Sequence, residues 1–266
     1  MVKYNLSELI RNAKDISLPR VVERLGTSRQ YRRILRKVLK QTGREISTSL
    51  LAAYVLSQES EEPYEEAILL FAVFAALKKA AGDAKISVQQ LLAAEAVYLD
   101  KAFIAGVKRV TKADITALIG EADTATLMNG IVKRNMSFVD DLTEQTRGLI
   151  ERAVIDAQIQ QKTKAELRRE LNAILGKQAK RADLIADDQL EKLAAELGGF
   201  RAEQAGLHLY YWRSQGDNRV RQFHKELNGR LQDTRFAFHG DKGRLPRVPI
   251  RCRCWAQWVV TAFKGE

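Results

Sequence analysis

Cys252 and Cys254 are the two cysteines of the chain, and they stand two residues apart. The stretch from His208 to Trp258 also holds all three histidines (His208, His224, His239), all three tryptophans (Trp212, Trp255, Trp258) and two of the four prolines. Three kinds of chemistry suit such a gathering. The first is metal ligation. Side chains alternate along a strand, so a Cys-x-Cys turns both sulfurs to one face, and His224 is a third donor. Zinc takes four N, S or O ligands, and the fourth would come from His208, His239 or Asp217. One Cys-x-Cys without a second pair does not favour zinc over two thiols packed as small hydrophobes, so no cofactor is assigned and the candidate ligands remain His224, Cys252 and Cys254. The second is catalysis, with Cys and His as nucleophile and base, or Asp217, His224 and an arginine acting on a phosphodiester. No recognisable motif joins these groups, and no catalytic residue is assigned. The third is structural. Asp217-Asn218 is turn chemistry, Arg219 and Arg221 can pair with Asp217 or with carbonyls, Gly229 suits a positive φ, and Pro249 fixes the entry to the Cys-x-Cys segment. The favoured reading is this clasp, made of Trp212, Asp217, Arg219, Arg221, His224, Gly229, Cys252 and Cys254.

The clasp needs a scaffold, and the sequence before it reads as helix after helix. Ala, Leu, Glu, Lys and Gln dominate as far as about residue 200, and all are good helix formers. Pro19 and Pro63 are the prolines of this part, and Pro63 suits a first helical turn. Ser87-x-x-Gln90, Thr163-x-x-Glu166 and Ser137-x-x-Asp140 look like capping boxes. Gly43, Gly82, Gly120 and Gly176 look like helix stops, and Gly198-Gly199 marks the boundary. The Ala67–Leu77 segment is apolar nearly all round, which predicts a central or covered helix. It is too short to cross a bilayer, which takes about 20 residues. No signal segment is expected at the N-terminus, and no membrane association is expected.

Beyond Gly206 the pattern changes. Leu207–Trp212 is predicted to be a strand, Val220–Leu227 a short helix, Phe236–Phe238 a strand, His239–Gly243 a loop, and Cys252–Phe263 a strand pair or a strand and tail. The expected fold is mainly α: an extended multi-helix body over residues 1–200, followed by a small α+β module over residues 201–266.

The hydrophobic fraction of 45% supports a proper core. A disulfide inside Cys-x-Cys would be strained, which suits assembly in a reducing cytosol. The net charge of +11 is unevenly placed. Arg20–Arg44 holds nine Lys/Arg against one acid and Arg219–Arg253 ten against three, so the remainder is mildly acidic. Within the first patch, Arg29, Arg32, Arg33, Arg36, Lys37 and Lys40 lie on a predicted helix with several on one face. They are candidates for contact with DNA or an acidic protein surface.

The C-terminal residues also resemble a known signature. Trp212-x-Ser214-x-x-Asp217-x-Arg219-Val220-Arg221-x-x-His224-x-x-Leu227-Asn228-Gly229, followed by Pro249-Ile250-Arg251-Cys252-Arg253-Cys254, is similar to the minor head proteins of tailed phages, the Mu F-like head morphogenesis family. Arg181-Ala182, Ile185-Ala186, Gln189 and Gly206 match the helical lead-in. One branch of that family has cysteines where Arg221 and His224 stand and His-Pro where this chain has Val248-Pro249. The chain follows the other form, with fewer thiols for zinc. The resemblance implies a structural virion protein rather than an enzyme. It would sit in the phage head near the portal after assembly in the bacterial cytoplasm, acting in head assembly and in DNA packaging or ejection. The implied partners are the portal ring, packaged double-stranded DNA, and the major capsid or scaffolding protein. The alternatives are a nuclease or toxin-like enzyme built on the C-terminal module, and a plain non-specific DNA-binding protein.

Overall fold

A computed structural model describes residues 2–59 and 66–263. Its helices are α1 (Leu6–Ile10), α2 (Thr27–Glu45), α3 (Leu51–Glu59), α4 (Glu66–Thr111), α5 (Ala125–Ile159), α6 (Lys164–Gln204) and α7 (Gln222–Leu227). A π-helical turn at Ile46–Leu50 joins α2 to α3. The strands are β1 (Ile16–Ser17), β2 (Leu209–Arg213), β3 (Leu231–Asp233) and β4 (Trp255–Val260), antiparallel in the order β1-β4-β2-β3. The fold is mainly α with a small α+β module, as the sequence pattern predicts.

Several expected helix boundaries are absent. Gly43 lies inside α2, Gly82 inside α4, and Gly176, Gly198 and Gly199 inside α6, while Gly120 does fall between helices. A glycine in a helix interior costs only about 1 kcal/mol against alanine, which packing can offset. At two positions the space for a side chain is tight. A Cβ on Gly43 would lie 3.1 Å from the Leu175 Cδ1 methyl, and one on Gly199 2.5 Å from that of Leu245, so these leucines would have to shift. Likewise Ser87 is inside α4, where its hydroxyl donates to the Asp83 carbonyl, and Ser137 is inside α5. The Thr163–Glu166 box does open α6: Thr163 N–H donates to Glu166 Oε2 at 2.8 Å, and Glu166 N–H to Thr163 Oγ1 at 3.3 Å. Pro63 lies outside the described residues.

The chain forms two compact units, which do not follow the expected division at residue 200. One comprises Ser28–Leu91 and Val132–Asp187; the other comprises Met1–Thr27, Leu92–Ile131 and Asp188–Glu266. The first is all helical. Leu50, Leu51, Tyr54, Val73, Ile150, Val154, Leu167 and Leu171 form its core, and each such side chain contributes roughly 1.5–3 kcal/mol when fully buried. Tyr54 donates to the Lys162 carbonyl at 2.8 Å and so pins the turn between α5 and α6. The apolar start of α4 buries Leu69, Leu70, Val73 and Leu77, but Ile68 and Phe71 face outward, so the helix is covered on one side only.

The second unit carries the sheet. Tyr210 and Trp212 alternate with half-buried neighbours on β2, and they pack with Phe103, Val107, Leu207 and Val260. Short strands bury little by themselves, so the N-terminal segment completes the module. β1 extends the sheet at β4, the N–H groups of Lys3 and Tyr4 donate to the Gln204 carbonyl, and Leu6 N–H donates to that of Ala205. Two buried charges tie this unit together. Arg201, 1% exposed, makes a bidentate pair with Asp100 (2.8 and 2.7 Å) and donates to Gln204 Oε1 and the Gly120 carbonyl. Glu95, fully buried, accepts the Arg24 backbone and guanidinium N–H and the Thr27 hydroxyl at 2.7–2.9 Å.

Removing one partner of a buried pair strands the other charge, at a cost of about 3–5 kcal/mol. Asp100→Ala is therefore expected to lower stability by that order in urea denaturation. The double variant Asp100→Ala with Arg201→Met should recover part of the loss, because no unpaired guanidinium remains.

Candidate functional site

The structure brings Trp212, Asp217, Arg221, His224, Gly229, Cys252 and Cys254 into one region, whereas the Arg219 side chain is exposed and Asp217 pairs with Arg253 instead. β2 places Trp212 in the core, and a turn follows in which Asp217 Oδ1 accepts the Arg219 N–H (3.1 Å). The same carboxylate pairs with Arg253 at 2.5 Å, and the Arg253 hydrogen bond holds it below the usual carboxylate range. Arg221 donates to the Ile250 carbonyl at 2.7 Å, linking the start of α7 to the loop that carries the cysteines. Gly229, at φ +78°, ends the α7 turn and donates its N–H to the Trp212 carbonyl at 2.7 Å. Asn228 Oδ1 accepts the Ser214 N–H. Asp217, Arg221, Asn228 and Gly229 thus hold backbone to backbone.

His224 is the centre of this arrangement. It lies on α7 with its ring 4.9 Å from that of Trp212, and only 2% of it is exposed. Nδ1 lies 3.5 Å from Cys252 Sγ and 3.7 Å from Cys254 Sγ. Nε2 lies 3.4 Å from Asp241 Oδ2, and Asp241 is also paired with Arg244 at 3.2 Å. Both cysteines are buried and unbonded to one another. They precede β4 rather than lying on it, so their convergence comes from the loop and not from strand alternation.

That loop is held in an uncommon backbone conformation. Arg247 and Arg251 adopt φ +73° and +56°, a left-handed geometry that costs non-glycine residues roughly 1–2 kcal/mol. Both are compensated by hydrogen bonds. Arg247 N–H donates to Cys252 Sγ (3.4 Å) and its guanidinium pairs with Glu23 (2.8 Å), while Arg251 N–H donates to Asp188 Oδ1 (2.8 Å). The hydrogen bond from the Cys254 thiol, opposed by burial and aided by the Arg247 N–H, brings Cys252 down to about 6. Cys254, the donor of that bond and itself buried, is pushed upward.

The structure does not bring the other expected ligands into the cluster. His239 Nδ1 is engaged with the Tyr210 hydroxyl at 2.9 Å, Asp217 with Arg253, and His208 borders a separate cleft with Phe200 and Thr234. Asp241, which no spacing singles out, is the group that joins His224. It arrives because Gly240, at φ +57°, lets the chain pass against Tyr210 and Trp212; a Cβ there would lie 2.6 Å from the Arg244 carbonyl oxygen and 2.7 Å from Tyr210 Oη. Phe236–Phe238 is a turn and not a strand, with both phenylalanines exposed; the strand lies earlier, at β3. Cys252, His224 and Asp241 have the order of a nucleophile, base and orienting acid, but burial of all three leaves a substrate no approach to the sulfur in this conformation.

The cationic face of α2 stands in the all-helical unit. Arg32 makes a bidentate pair with Asp187 (2.8 and 2.5 Å), and Arg36 is paired in the same way with Asp183. Arg29, Arg33, Lys37 and Lys40 line an open groove with them. The six expected residues are therefore together, two of them serving the fold.

Two outcomes follow for this site. Gly240→Ala is expected to destabilise the module strongly, seen as a lowered thermal midpoint with loss of near-UV ellipticity from Trp212. Glu23 governs the second. Burial raises its pKa, but the charge and hydrogen bond of Arg247, with a backbone N–H, outweigh this and leave it lowered. A depressed folded pKa adds stability above the ordinary carboxylate range and loses it as pH falls through the folded value. Wild type should therefore lose more stability than Glu23→Gln between about pH 5 and pH 3 in urea titrations.

Comparison with known proteins agrees with the resemblance seen in the residues. An uncharacterized protein of Haemophilus influenzae is 26% identical over 151 residues, covering 54% of this chain and 34% of that protein, so the chain spans about a third of the length of this curated relative. No solved structure matches the chain. The family described as Phage Mu protein F like protein matches residues 148–257, a span that includes all of α6 and every residue of the His224 clasp. Over residues 148–257, the chain is similar to the phage Mu F-like proteins.

Proposed function

We propose that the protein is a minor head protein of a tailed phage or phage-like particle, built into the virion during head morphogenesis. It contacts the portal ring, and packaged double-stranded DNA passes against its basic face; contact with the major capsid or scaffolding protein belongs to the same reading. The observation that carries the proposal is the coincidence of the Mu F-like match with an internally hydrogen-bonded clasp. Side chains spent on holding backbone suit a structural component rather than a catalyst.

The α2 face supports the DNA part of the reading. Arg29, Arg33, Lys37 and Lys40 border one groove and remain available to a polyanion, because Asp187 and Asp183 occupy Arg32 and Arg36. A cationic surface of this kind reads phosphates and not bases. Among the described residues no helix is long and apolar enough to cross a membrane.

Copies of the protein are expected in purified particles and in a pull-down with the portal ring; absence from both virions and proheads would sink the proposal. For DNA, affinity should be insensitive to sequence. If four phosphates are neutralised, log K should fall with log salt at a slope of about −3.6. Reversing Arg29, Arg33, Lys37 and Lys40 to Glu should abolish binding with helicity unchanged. An unaltered affinity would assign the face to protein contact instead.

A further inference from the structure

We propose that His224 Nδ1, Cys252 Sγ and Cys254 Sγ form a binding site for a thiophilic metal ion, with Zn²⁺ the physiological occupant, and that the ion locks the clasp. The three donor atoms lie within 4.8 Å of one another and are buried. A tetrahedral zinc ion with Zn–S near 2.3 Å and Zn–N near 2.0 Å sets S···N edges of about 3.6 Å. The observed separations are 3.5 and 3.7 Å. Two sulfurs and an imidazole are a soft donor set, which excludes calcium and magnesium and favours zinc.

The surroundings supply what metal-bound thiolates need. Arg247 N–H is already donated to Cys252 Sγ. The buried indole N–H of Trp212 has no hydrogen-bond partner, and its ring lies 4.9 Å from that of His224. The far side of the His224 ring completes the pattern: Asp241 Oδ2 lies 3.4 Å from Nε2, where a carboxylate would accept the N–H of the tautomer that leaves Nδ1 free to bind the ion. Carboxylate–histidine–metal relays of this form orient the ligand and raise its basicity. No other His, Cys, Asp or Glu joins the group among the described residues, so the protein offers three ligands. Burial separates this reading from thiol catalysis, since an ion is held within the fold while a substrate must reach the sulfur.

The test is metal content of the full chain, purified under reducing conditions from zinc-supplemented medium. About one zinc per chain is expected. Chelation should lower the thermal midpoint, and zinc should restore it. Cobalt added to the chelated protein should give the intense near-ultraviolet absorption of thiolate-to-metal charge transfer. Cys252→Ser, Cys254→Ser and His224→Asn should each weaken or abolish that band, and Asp241→Asn should keep it while lowering affinity about 10–100-fold. Should the ligand variants fail to fold, metal content and chelator response of the wild type decide alone. A chain that carries no zinc, shows no cobalt band and ignores the chelator overturns the proposal. So does a metal-free chain two hydrogens lighter, which would mean a Cys252–Cys254 disulfide.

Discussion

Four strands of two to six residues cannot bury themselves, and much of the second unit answers that constraint. A short sheet leaves edges with unpaired N–H and carbonyl groups and faces too small to exclude water. Here Ile16 and Ser17 pair with β4, and the chain around Lys3 to Leu6 hydrogen-bonds to the end of α6. Phe103 and Val107 from α4 pack with Tyr210 and Trp212. Charged groups caught in this packing have ionic or hydrogen-bonded partners: Arg201 has Asp100, Glu95 has Arg24 and Thr27, and Arg247 has Glu23. The module is thus completed by residues far from it in sequence, and its stability depends on buried ion pairs as well as on apolar area.

The same constraint explains the character of the clasp. With little apolar volume available, the segment from Trp212 to Cys254 is held by directional bonds. Asp217 holds Arg253, Arg221 holds the Ile250 carbonyl, and Gly229 and Asn228 return the chain to β2. Left-handed conformations at Arg247 and Arg251 are tolerated because their N–H groups reach Cys252 and Asp188. At the centre sit an imidazole and two thiols whose donor atoms face one another, and that convergence is the physical case for an ion among them.

The basic patch on α2 shows how a charge run divides between fold and function. Consecutive cations on one helix face would repel one another if all were left free. Asp183 and Asp187 on α6 neutralise Arg36 and Arg32, and four cations remain toward solvent. Substitution at the paired arginines would therefore mix loss of packing with loss of binding, whereas Arg29, Arg33, Lys37 and Lys40 report on binding alone.

The helical class, the appended α+β module, the Thr163–Glu166 cap and the α7 helix with its Gly229 stop are all local properties, set by propensity, spacing and turn chemistry over a few residues. They were legible for that reason. No helix ends at Gly43 or Gly199, because a glycine in a closely packed helix interior looks the same in sequence as one that ends a helix. Phe236–Phe238 carried a strand-like composition, yet β3 took the pairing with β2 at Leu231–Asp233. Composition alone separated the chain into a helical body and a module, but the contribution of Ile16–Ser17 to the sheet depends on pairing across more than two hundred residues. Asp241 beside His224, the division of the α2 arginines and the meeting of both sulfurs on one ring nitrogen were decided by tertiary structure, because each depends on loops brought together through packing that no local pattern encodes.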